Sequence, residues 1–213
     1  MFNPTKRGEI WRYFTHSFLH SNQKHLWINV ILLLLAGIPL EMYHDGQIVS
    51  LIFVGGTVLG AFLSYAAEAS ILCGASAGVY AIIFTHIGNT LINGDVFQVE
   101  YLFASLLMNL PLIGLMIYDG VKIATDSIPG GTSYYAHFAG IITGLTLGTA
   151  IIRNAKSQGW EKALRYTCMM IFVLIGVSLV SWHIYVVKCC MAAFVENHDF
   201  SVQKRLKMLS WVF

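Results

Sequence analysis

Six apolar stretches govern what this 213-residue chain can fold into. They run from Leu26 to Tyr43, Ile48 to Ala67, Ser76 to Ile92, Tyr101 to Tyr118, Ala136 to Ile152 and Tyr166 to Val187, each 17 to 22 residues long. A helix rising 1.5 Å per residue needs about 20 apolar residues to cross about 30 Å of hydrocarbon, so each stretch predicts a membrane-spanning helix. A strand reading fails: the stretches are too long, do not alternate with period two, and would leave backbone groups unpaired in lipid. The fold class is therefore all-α, a polytopic membrane helix bundle. Only 11% of the residues are charged, against about 25% in soluble domains, which argues against an ordinary water-soluble globule.

The remaining composition narrows function. Formal net charge is +2 with no basic stripe interleaved with aromatics, so nucleic acid is not an expected partner. Cys73, Cys168, Cys189 and Cys190 show no C-x-x-C pairing, and neither a zinc site nor a disulfide framework is indicated. The first 25 residues carry Lys6, Arg7, Arg12 and Lys24 without an apolar centre and read as a loop or interfacial segment, not a signal peptide. Lys204, Arg205 and Lys207 near the C-terminus read as a solvated tail. The expected division is an interfacial segment over 1–25, a helical core over 26–152, and a linker, further helix and tail over 153–213.

Polar side chains inside spans are costly, by about 2.5 to 3.5 kcal/mol for a charge, and so raise functional hypotheses. Successive spans alternate in direction, so the first, third and fifth begin on one face of the membrane. At those three starts lie His25 with Asn29, Ser76, and His137. His25 and Asn29, spaced i, i+4, share one helix face. Ser76 sits within Gly74-Ala75-Ser76-Ala77-Gly78, the G-x-S-x-G spacing of a nucleophile elbow, at the edge of an apolar run. Gly74 and Gly78 are read as one small-xxx-small step, and Ala136, Gly140, Gly144 and Gly148 as a series of them, which lets helix backbones approach closely. His137 then serves as general base to Ser76, a pairing sufficient to activate a hydroxyl. No acidic residue lies within a turn of His137, so a dyad is expected rather than a triad. Backbone N–H groups at the start of the third span, with His25 and Asn29, would hold an oxyanion. The competing expectation is that these Ser, His and Asn side chains only bond across helices.

These residues resemble the rhomboid family of intramembrane serine proteases. Three blocks carry the likeness: EIWRYFTHSFLHSNQKHLWIN from residue 9, GIPLE from residue 37 with GASAG from residue 74, and YYAHFAGIITGLTLG from residue 134. Trp11 and Arg12 match the family's Trp-Arg loop motif, and His20, His25 and Asn29 its H-x-x-x-x-H-x-x-x-N helix. The resemblance implies Ser76 as nucleophile, His137 as base, and His25 and Asn29 as oxyanion donors, with Glu41, Gly74, Gly78, Gly140 and Gly144 as structural motif positions. It implies six spans corresponding to rhomboid helices 2 to 6 plus a C-terminal extra helix, the first family helix being expected before Trp11, where only ten residues stand. The extra helix resembles that of eukaryotic secretase-type rhomboids. That likeness implies cleavage of single-pass membrane proteins to release lumenal or extracellular domains, including growth-factor-like ligands, in the Golgi or plasma membrane, with the site facing outward. With that orientation four Lys and Arg (Arg153, Lys156, Lys162, Arg165) lie inside and nine outside, against the positive-inside rule. No metal or organic cofactor is implied.

The family motif is usually G-x-S-G, so Ala77 is expected to set a methyl group beside the oxyanion site. His16 and His20 have a metal-ligand spacing, but Ser17 stands where H-E-x-x-H requires Glu. His86 and Asn89 are read as packing residues. Pro111 should kink the fourth span, and the connection from Asp119 to Tyr135 should cap the site. Two other classes remain open: a non-catalytic rhomboid-like protein that binds membrane clients, and a small transporter with a His and Asn relay.

Overall fold

In a computed structural model the chain is described over residues 9–67, 71–94, 133–156 and 159–209, with a few positions between 110 and 125 and with backbone alone beyond 189. Every element among the described residues is helical, and none is a strand. A short α1 (Arg12–Thr15) runs into a 3₁₀ turn (His16–Phe18). Then come α2 (Gln23–His44), α3 (Gly46–Ala67), α4 (Ser76–Asn93) and α5 (Tyr134–Thr143). A π-helical turn (Gly144–Gly148) and a last turn α6 (Thr149–Ile151) continue α5, and α7 spans Gly159–Leu209. The fourth apolar stretch with Pro111, and the connection after Asp119, fall almost wholly outside the described residues.

Gln23–His44, Gly46–Ala67 and Gly159–Cys189 are long and apolar enough to cross a bilayer. The Ser76 helix α4 is almost wholly buried, with Val79, Ala81, Ile82 and Phe84 at its centre and α2, α3 and α5 packed around it. Small residues make this possible. A Cβ added at Gly56 or Gly60 of α3 would stand 2.5 Å from the Ala81 Cβ or 2.6 Å from the Ala77 Cβ of α4. On the other flank, Gly140 and Gly144 face the Ala77 and Ala81 carbonyl oxygens. Helices lacking a hydrophobic driving force between them associate through such close approach.

The helix ends are specified locally. Asn22 caps α2 by accepting the His25 N–H at 2.8 Å. Ser133 caps α5 by accepting from Ala136 N–H at 3.3 Å while its hydroxyl donates to Ser64 Oγ at 2.8 Å, a buried tie to α3. At the opposite end of the bundle a buried polar network closes the structure. His44 Nε2 lies 2.9 Å from Asn89 Oδ1 and its Nδ1 accepts the Arg153 N–H at 3.0 Å. Asn93 donates to Asn89 Oδ1 and to the Arg153 carbonyl, at 2.8 and 2.9 Å. His86 meets the Ala36 carbonyl at 2.8 Å.

Two boundaries depart from the sequence reading. Gly74 and Gly78 do not form a helical step, because α4 begins only at Ser76 and Gly74 has φ +113. The extra helix continues well past Val187, since no Gly or Pro follows Gly176 to end it.

Candidate active site

Ser76 is the first residue of α4, so the N–H groups of that first turn have no partners in the helix ladder. The chain reaches it through Gly74, whose φ of +113 is a conformation that L side chains rarely adopt. Two contacts hold this turn. Its Gly74 N–H donates to the His16 carbonyl at 3.2 Å, and the His25 ring lies against it, so that a Cβ on Gly74 would stand 2.7 Å from His25 Cε1 and 3.0 Å from Nε2.

His137 enters from the first turn of α5. Its Nε2 lies 3.0 Å from Ser76 Oγ, across 61 residues of sequence, inside the 2.6–3.2 Å reach of a nucleophile and its base. The imidazole lies flat on the Tyr80 ring at 4.4 Å and 16°, and meets Tyr134 edge-on at 6.0 Å. Tyr80 is one helical turn beyond Ser76, so one face of α4 carries the hydroxyl and the ring that fixes its partner's plane. Sequence reading passes over Tyr80, although its i, i+4 spacing from Ser76 is visible there.

The other predicted positions divide. His25 reaches the site through Gly74, with its Nδ1 3.2 Å from Ser21 Oγ; Ser21, a turn earlier, is likewise passed over by sequence reading. Asn29 is buried, but its amide donates to the His25 carbonyl at 2.9 Å, so it braces α2 at this level. His20 packs edge-on to His25 at 5.2 Å. Trp11 is exposed, and Arg12 pairs with Glu9 at the start of α1. Glu41 is not at the site: it lies over Gly46 at the far corner between α2 and α3. Gly78 packs on Phe53 and Thr57 of α3. The Ala77 methyl, expected beside the oxyanion position, turns instead toward Gly60, so the G-x-S-A sequence adds bulk to a helix interface.

His16 belongs to a 3₁₀ turn that ends at Phe18, and therefore does not share a helical register with His20. It is fully buried, and the Arg12 carbonyl 3.1 Å from Nδ1 assigns the proton to that nitrogen. Burial pushes its pKa down to about 4, with the Arg12 hydrogen bond opposing.

Residues 7–154 match the family model of the rhomboid domain. The chain is 30% identical over 192 residues to rhomboid-related protein 3 of Homo sapiens, covering 87% of this chain and 47% of that protein. It is 35% identical over 173 residues to rhomboid-related protein 1 of Caenorhabditis elegans, covering 81% and 48%. It is also 24% identical over 177 residues to inactive rhomboid-related protein 2 of Caenorhabditis elegans, covering 81% and 50%. The chain spans about half the length of the curated relatives it matches.

Proposed function

The chain belongs to the rhomboid family and is an integral membrane protein, and on that premise we propose that it is a serine endopeptidase that cuts other membrane proteins within or near their spans. The observation that carries this reading is the 3.0 Å approach of His137 Nε2 to Ser76 Oγ at an open helix N-terminus. Ser76 donates its proton to His137 as Oγ attacks the scissile carbonyl carbon. The oxyanion forms beside the Ser76 N–H, with the His25 ring across Gly74 as a second donor, each worth about 3 kcal/mol in the transition state. A Ser21 hydroxyl donating to Nδ1 leaves the His25 proton on Nε2, the nitrogen nearer the site. Asn29 contributes by fixing the turn that carries His25.

His137 next protonates the leaving amine, which departs with the C-terminal fragment and leaves an acyl-Ser76 ester. A water from the polar face gives its proton to His137 and attacks the ester, releasing the carboxylic acid and restoring Ser76. The substrates are single-pass membrane proteins whose lumenal or extracellular domains are released, growth-factor-like ligands among them, with the protein in the Golgi or plasma membrane. This substrate class rests on the resemblance of the extra helix α7 to that of secretase-type rhomboids.

A second reading is favoured by the likeness to a relative named inactive: a rhomboid-like protein that binds membrane clients without cutting them. One experiment separates the two. The purified chain, Ser76→Ala and His137→Ala are treated with a fluorophosphonate and with a single-pass reporter in liposomes. Labelling and cleavage by the unsubstituted chain alone is the expected result. Folded protein that neither labels nor cleaves, yet still retains the reporter, would establish the client-binding reading.

A further inference from the structure

The C-terminal helix α7 offers most of its surface to the surroundings: Leu174, Val177, Trp182 and Tyr185 are all exposed. His183, in the same stretch, does not follow them. Tyr13 Oη lies 2.8 Å from its Nε2 and 3.1 Å from its Nδ1, and its ring meets Tyr13, Phe62 and Tyr65 edge-on at 5.4, 5.5 and 5.0 Å. An imidazole on an apolar helix is expensive in lipid unless a partner is provided, and α1 provides it.

Tyr13 is well placed to transmit this contact. It is 5% exposed and belongs to one buried cluster with Ala61, Tyr65, Leu72, Ala77 and Ala136, against which Val186, one turn beyond His183, also packs. Ala77 directly follows Ser76, and Ala136 directly precedes His137. Three residues beyond Tyr13, the His16 carbonyl accepts the Gly74 N–H. The place of Tyr13 is thus coupled to the residues adjoining both members of the pair and to the Gly74 turn that leads into Ser76.

We propose that His183 is a positioning residue for the Ser76–His137 pair, its hydrogen bond to Tyr13 seating α1 on the cluster that carries both. The proposal rests on the protease reading for its kinetic consequence, though not for its structural one. It also accounts for the extra helix, because α7 becomes a strut on the active site, held at its start by Arg165 donating to the Ala150 carbonyl and near the site by His183.

The test uses the full chain in liposomes. His183→Phe keeps a ring in the aromatic pocket and removes the hydrogen bond, Tyr13→Phe removes it from the other side, and His183→Gln restores a polar group near the Nε2 position. Val177→Ala, on the exposed face of the same helix, is the control. Loss of one neutral hydrogen bond felt in alignment predicts fluorophosphonate labelling and kcat about three- to tenfold lower in each Phe variant. KM should stay within twofold, the double Phe variant should be no slower than either single, and His183→Gln should approach the unsubstituted rate. Unaltered rates in either Phe variant, losses that multiply in the double, or a Gln variant as slow as Phe would overturn the proposal. So would a slowing that merely tracks the unfolded fraction in a thermal melt. If the unsubstituted chain does not label, the protease reading fails, and the strut is judged by amide hydrogen exchange over residues 12–18 and 72–77. At least fivefold faster exchange in His183→Phe supports it, and unchanged exchange refutes it.

Discussion

Gly140→Ala tests whether the Ser76–His137 geometry depends on backbone contact between α4 and α5. The new Cβ would meet the Ala77 carbonyl oxygen head-on and stand 2.8 Å from the Tyr80 Cβ and 3.1 Å from the Ala77 carbonyl carbon. Carbons pack at about 3.5 to 4.0 Å, so the helices must part by about 1 Å, and no flexible side-chain end is available to yield instead. Because Gly140 is one turn from His137 and its neighbour Ala77 adjoins Ser76, the 3.0 Å gap between Nε2 and Oγ should open to about 4 Å, beyond hydrogen-bond reach. A misplacement of about 1 Å lowers reactivity about 10²-fold, while overpacking destabilises by about 1–3 kcal/mol. The assay is the fluorophosphonate labelling rate, normalised to protein that remains folded in a thermal melt. Gly176→Ala is the paired control, since its Cβ meets nothing within 4 Å. A folded Gly140→Ala protein that labels within threefold of the unsubstituted chain would refute the reasoning.

Two more outcomes follow from the same structure. His16 has a pKa lowered to about 4 from an ordinary 6.5 because burial disfavours its charged form; a depressed folded-state value gives stability that is full above pH 6.5 and is lost as pH falls toward 4, by about 3 kcal/mol in all. The melting temperature of the detergent-solubilised chain should therefore fall across that window, and His16→Asn, which keeps a donor for the Arg12 carbonyl, should flatten the fall; equal slopes would count against it. Ala77→Gly should leave the labelling rate unchanged and lower the melting temperature, because the methyl fills the contact with Gly60 and a helical glycine is weaker by about 1 kcal/mol; faster labelling would put the methyl back beside the oxyanion.

Much of the site is legible in the sequence because membrane crossings quantise depth. Read as alternating spans, the sequence puts His25, Ser76 and His137 at one depth, and Gly140 and Gly144 announce the close helix contact that the fold contains. What the sequence does not disclose is the direction in which each side chain points. The i, i+4 rule aligns Asn29 with His25, yet Asn29 bonds back to its own helix. The rule places two residues on a face without fixing their rotamers. Gly74 fits a helical small-residue pattern, but its φ makes it a turn. Tyr13 and His183 are 170 residues apart, and no periodicity within either segment links them. The His44, Asn89, Asn93 and Arg153 network is invisible for the same reason; the packing role expected of His86 and Asn89 takes the form of a bond from each to a neighbouring helix.

A single residue, Asp45, separates α2 from α3, with φ 70 and its carboxylate paired to Arg153. That corner has no slack, so the two helices are joined like the arms of a compass whose pivot lies in the buried network around His44. His25 stands 20 residues up the arm, about 30 Å from the pivot, so a rotation of about 5° there swings it through roughly 2.5 Å. Travel is least where the polar clamp grips and greatest where His25 leans on Gly74. The mechanical advantage of the fold is thus delivered to the Ser76 end: a small angular change at one edge of the bundle carries the His25 ring toward or away from the Gly74 turn at the other.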